Sequence, residues 1–172
     1  NFLKFFYNTS YPLEKIGNTT NSSLIPKFSL SYSPFKSENI SNLDRNIEIN
    51  NIFSNNRLGL SESLEGGQSL TLGLDYELFN VNNNRNILET SIAQIYRDTN
   101  DSNLPITSKM RNKSSDVVGE INFSPLESLG INYKFSADNN LDTINYNFLN
   151  TEISVNNFVT SFEFLEENNE IG

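Results

Sequence analysis

The chain has 172 residues, enough for one domain or one part of a larger one, with 36% hydrophobic and 19% charged side chains. Its formal net charge is -9 and its 12 Lys and Arg are scattered singly, which excludes a nucleic-acid surface, since that needs clustered basic residues. It has no His and no Cys, which removes imidazole and thiolate metal sites, a disulfide framework and every His-dependent triad.

Period-two alternation, rather than helical spacing, runs through most of the sequence. In chain order, it predicts a strand at 2–10 and a clearer one at Phe28-Ser29-Leu30-Ser31-Tyr32-Ser33, ended by Pro34. A weaker strand is expected at 47–53, broken by Ser54-Asn55-Asn56. Glu65-Gly66-Gly67 reads as a hairpin turn, because a strand follows it and a phosphate-cradling loop would need a helix there.

The best ladder comes next, at 69–78. It sets Leu70, Leu72, Leu74, Tyr76 and Leu78 on one face and Ser69, Thr71, Gly73, Asp75 and Glu77 on the other. Asn82-Asn83-Asn84 is a turn, and a strand is expected at 88–97. Residues 97–115 are polar and read as an extended loop, with no apolar anchor across 98–103. Strands follow at 117–123, 129–137, 143–149 and 153–164. Turns are predicted at 124–128, at Asp138-Asn139-Asn140 and at Leu149-Asn150-Thr151.

The fold class is therefore all-β, an antiparallel up-and-down meander. Alternation alone leaves open whether its apolar face meets lipid or a protein core. A soluble β-sandwich binding module would show the same ladders. A small, uncharged polar face and aromatics near strand ends (Phe79, Tyr96, Tyr133, Phe135, Phe162, Phe164) favour an outer-membrane barrel. On that reading Ser69, Thr71, Asp75 and Glu77 line the lumen, and Leu70, Leu72, Leu74, Tyr76 and Leu78 face lipid. A complete eight-stranded barrel of porin or adhesion type fits the length, although the last residues read as a loop cut short.

Chemistry finds no foothold. Asp75 and Glu77 share a strand face as a glycosidase pair might, but solvation on that polar face is the far better account of them. The serines of 61–63 and 114–116 lack a base. No catalytic residue, metal or cofactor is expected, and the protein reads as a non-enzyme. Its Asn-X-Ser/Thr sequons, such as Asn8-Thr9-Ser10, follow from the heavy Asn content. No apolar run reaches the ~18 residues of a membrane-spanning helix. The chain opens without an initiator Met or secretory leader and reads as the interior of something longer.

Three ordered blocks carry a resemblance. The first is Leu24-Ile25-Pro26-Lys27 running to Tyr32-Ser33-Pro34. The second is Asn51-Ile52-Phe53 with Arg57-Leu58-Gly59, leading into Leu70-Thr71-Leu72-Gly73-Leu74-Asp75-Tyr76. The third is Gln94-Ile95-Tyr96-Arg97, then Ser115-Asp116-Val117-Val118-Gly119, then Ser124-Pro125. Together they resemble the barrel domain of the lipopolysaccharide-assembly family LptD. The Gly59-Leu60-Ser61-Glu62 step departs from the family's usual Gly-x-Asp-Arg, and the family's disulfide-forming cysteines are absent.

The resemblance implies a partial barrel domain over 1–172, an incomplete arc without the N-terminal jellyroll. It implies residence in the outer membrane of a Gram-negative bacterium, among outer-membrane lipids. The function it implies is carriage of lipopolysaccharide from the periplasm to the outer leaflet. The partners it implies are an LptE-like plug lipoprotein and, through a domain not in this chain, a periplasmic LptA-like bridge.

Overall fold

A computed structural model of the chain describes residues 3–59 and 65–168. Among them a single antiparallel sheet of nine strands accounts for nearly all regular structure. The strands are β1 (Phe5–Ser10), β2 (Leu13–Lys15), β3 (Thr20–Ser33), β4 (Gly67–Asn80), β5 (Arg85–Arg97), β6 (Val117–Leu126), β7 (Leu129–Ala137), β8 (Ile144–Val155) and β9 (Phe158–Glu167). They lie in the order β1-β3-β4-β5-β6-β7-β8-β9, with each strand from β3 onward paired to the next in sequence, while β1 and β2 both pair along β3. The predicted up-and-down meander is what the chain adopts.

Pro12 separates β1 from β2, because a proline has no N–H to give the ladder. Tyr11 keeps the two in line by donating its N–H to the Pro26 carbonyl at 3.0 Å. No contact closes the sheet onto itself among the described residues, and no second sheet covers it. Neither the closed eight-stranded barrel nor the sandwich is the architecture seen.

Connections alternate in length. Those after β2, β4, β6 and β8 are short, while those after β3 and β5 span 34–66 and 98–116. The long connections lie at one end of the sheet and fold back over one of its faces. That face is the one carrying Ser69, Thr71 and Gly73. The register places Arg97, Ile95 and Ala93 of β5 beside them, then Val118 of β6 and Ser136 of β7.

Three expectations fail here, each for a local reason. Residues 49–53 form turns and 47–48 no regular structure, although Ile47, Ile49 and Phe53 suggested a strand. The Asn51 side chain accepts the Glu48 N–H at 3.0 Å and donates to the Asn46 carbonyl at 3.1 Å, while Ile52 N–H closes on Glu48 O at 2.9 Å. These bonds offer the backbone an alternative to a ladder. Leu149-Asn150-Thr151 lies inside β8, and the turn comes at Asn156, whose φ is +54°. The strand expected over 153–164 is accordingly divided between β8 and β9. Gly66-Gly67 closes the long connection rather than a hairpin. A Cβ on Gly66 would sit 2.2 Å from the Phe35 carbonyl oxygen, so the close backbone approach there requires glycine. The serines of 61–63 lie outside the described residues.

Candidate functional site

The covered face is where the chain concentrates its buried side chains. Ile40, Ile47, Ile52 and Leu58 from the first long connection meet Leu104 and Met110 from the second, over Ala93, Ile95 and Val118 of the sheet. The loop at 97–115 is thus anchored by apolar residues just beyond its polar stretch. Its polar stretch is anchored as well: Ser37 donates to Asp101 at 2.5 Å, and Asn103 donates to the Ser37 carbonyl at 3.1 Å. Further along, Ile47 N–H donates to Ser108 Oγ at 2.9 Å and Thr107 Oγ1 donates to the Arg45 carbonyl at 2.7 Å. The two connections form one plug, bonded to each other as well as packed on the sheet.

Three features dock the plug on the sheet. The first is a buried charge cluster. Glu65 takes both Nε (2.6 Å) and a terminal nitrogen of Arg57 and also meets Arg97, with all three side chains at most 5% exposed. Arg57 reaches on to Thr71 Oγ1 at 3.0 Å and Ser69 Oγ at 2.8 Å. Burial pulls the Arg57 guanidinium's pKa down, and the two-point carboxylate pairing opposes that loss of charge. Lys4, just before β1, donates to the Asn55 carbonyl at 2.6 Å. Burial, then the nearby Arg57 and Arg97 charges, hold its pKa down at about 8.

The second is an aromatic seat. A Cβ on Gly73 would lie 2.6 Å from the Phe53 ring, so the ring rests where β4 has no side chain. Lys27 lies 5.6 Å above the same ring and pairs with Asp75.

The third is Asp116, at the mouth of β6 and 1% exposed. Its Oδ2 accepts from Asn145 at 2.7 Å and from Ser136 at 3.2 Å. Asn145 is free to point here because the β7–β8 register shifts beside Ser136, leaving Asn145 as the extra residue of a bulge. Burial raises the Asp116 pKa, against the lowering pull of Asn145, Lys109 and Ser136. A cavity of about 460 Å³ opens next to it, between the plug and β6–β8.

The sequence-predicted residues fall as follows. Ser69 and Thr71 are buried beneath the plug. Asp75 is ion-paired to Lys27, and Glu77 stands opposite Glu89 across the β4–β5 register. Leu72 and Leu74 are exposed on the opposite face, with Leu70, Tyr76 and Leu78 half-buried alongside. That face continues through Leu30, Ile92, Phe123 and Phe162 on the neighbouring strands. Sequence reasoning assigned no role to Arg57, Glu65, Arg97 or Asp116. Their signal was present: Arg57, Arg97 and Ser115-Asp116 belong to the blocks that carried the resemblance, and those blocks prove to be the docking points.

The family model described as LPS transport system D (LptD) matches residues 2–171. A comparison with curated proteins found no match.

Proposed function

The chain belongs to the LPS transport system D family, LptD, and on that footing we propose that it forms part of the wall of a transmembrane barrel. The barrel sits in the outer membrane of a Gram-negative bacterium and passes lipopolysaccharide from the periplasm to the outer leaflet. The observation that carries this reading is the sheet's two-sidedness. One face exposes apolar side chains from strand to strand; the other carries the polar residues of β4, with Ala93, Ile95 and Val118 beside them, and is partly covered by the chain's own connections. A transmembrane barrel wall needs both, and its backbone must be fully paired within the sheet.

On this reading Ser69, Thr71, Asp75 and Glu77 face the lumen, with Ser69 and Thr71 holding the plug. Leu70, Leu72, Leu74, Tyr76 and Leu78 face lipid. The unpaired edges at β1 and β9 join further strands of the barrel. The role is that of a conduit without covalent chemistry. An LptE-like lipoprotein and a periplasmic LptA-like bridge are the partners this function calls for.

A photo-crosslinking side chain at Glu77 or Leu72, introduced into the full-length protein in cells, tests the reading. Lipopolysaccharide adducts at Glu77 that disappear when lipid supply is cut off are the expected result. Adducts of equal yield at Leu72, or none at any lumen position, would contradict it.

A further inference from the structure

The cavity beside Asp116 carries an inference independent of lipid carriage. Asp116 is 1% exposed and lines that cavity, yet its Oδ1 has no hydrogen-bond partner. Its sister oxygen is satisfied twice, by Asn145 and Ser136. The nearest cation, Lys109 Nζ, stands 3.7 Å away, beyond hydrogen-bond distance, with its side chain 39% exposed. A buried carboxylate oxygen left in this state is costly, so a donor that enters the cavity gains more than it would in water.

The rest of the cavity defines that donor. Leu43, Ile47, Ile106 and Val118 give it apolar walls. Asp44, Glu48, Glu120 and Glu167 also line it, with Asp116, against only Lys109 and Lys134. Lys134 is drawn toward Glu120, at 3.9 Å. The excess is negative, and its size suits a ligand of several heavy atoms rather than a bare ion. We propose that this cavity binds an organic cation, an ammonium or guanidinium on an apolar stem, whose head group donates to Asp116 Oδ1. The stem lies against the aliphatic walls, and Lys109 is the weak internal competitor that the head group displaces. A free alkyl cation and the Arg side chain of a polypeptide share this chemistry.

Titration calorimetry on the purified full-length protein in detergent tests it, with n-butylguanidinium, n-butanol and N-acetyl-arginine amide as probes. Saturable binding of butylguanidinium, at least about tenfold tighter than butanol, is expected from one charge-assisted hydrogen bond. Equal binding of the two would overturn the proposal. Asp116→Asn is expected to remove the preference, but it also loosens the plug. Lys109→Met therefore supplies the second arm. It keeps the stem and removes the competitor, so butylguanidinium should bind several-fold tighter. Unchanged or weaker binding there would mean that Lys109 and Asp116 form only a structural pair, and would overturn the proposal. Tighter binding of the arginine derivative than of butylguanidinium would assign the natural source to a polypeptide; the reverse would assign it to a free cation.

Discussion

Strands β4 and β9 are built on the same alternation but live in different surroundings. β4 lies between two paired neighbours, and its polar face disappears beneath the plug at Ser69, Thr71 and Gly73. β9 has a partner on one side alone, and every one of its residues is exposed. The difference does not come from the strands' own hydrophobicity. It comes from what reaches them: Arg57, Phe53 and Glu65 arrive on β4 from a connection with side chains suited to its gaps, whereas on β9 that connection touches the terminal Glu167, through Asn46 at 3.3 Å. The outer faces of the two strands stay alike, with Leu72 and Leu74 on one and Phe162 and Phe164 on the other. An amphipathic ladder thus sets which face is apolar, while the connections decide how much of the polar face is covered.

The largest way to break the contrast is Glu65→Ala. It leaves two buried guanidiniums facing each other, and losing one member of a buried ionic cluster costs ~3–5 kcal/mol. The plug should come off β4, so that hydrogen exchange at 40–58 becomes fast while exchange in β7–β9 is unchanged. Uniform protection would show that the cluster does not hold the plug.

Charge on the outer face should treat the two strands alike. If that face meets lipid as proposed, Leu72→Arg and Phe162→Arg each place a cation there, costing ~2–4 kcal/mol near the bilayer centre. Urea titrations in bilayers should show comparable losses, and much smaller ones for Glu77→Arg. A Glu77 loss as large as the Leu72 loss would erase the distinction between faces.

A subtler change is Gly73→Val, which intrudes on the Phe53 ring. Overpacking of this kind costs ~1–3 kcal/mol, and the low end applies because the ring tip can tilt. The expected readout is faster exchange at Ile52 and Phe53 with β4 itself intact.

The smallest effect concerns pH. The Lys4 pKa, held at about 8, lies below the ordinary 10.5. The unfolded chain therefore binds more protons between those values, and stability rises as pH increases through that window. Amine acylation at pH 8 should modify Lys4 ahead of the exposed Lys15, and an equal rate would refute the crowding by Arg57 and Arg97.

Much of the sheet was legible because period two survives any neighbour. The ladder at 69–78 reports its two faces whether lipid, water or protein covers them. The second long connection was legible too, as the polar stretch at 97–115, and so were turns at Asn82-Asn83-Asn84 and Asp138-Asn139-Asn140. The plug was not. Ile47, Ile49 and Phe53 carry a strand-like spacing, and only the hydrogen bonds of the Asn51 side chain turn them aside. Glu65 meets Arg97 from far along the chain, so no local pattern marks the cluster; Arg57 and Arg97 stood in the ordered blocks, while Glu65 read only as part of a turn. Asp116 depends on a bulge at Asn145, and a bulge leaves little trace in alternation.

The central claim is that the two faces of this sheet meet different media. Spin labels at Leu72 and Glu77 of the protein in lipid bilayers test it most directly, through collision with dissolved oxygen and with a water-soluble nickel chelate. The account predicts an oxygen-accessible, nickel-protected label at Leu72 and the reverse at Glu77. Equal nickel accessibility at both positions would contradict it.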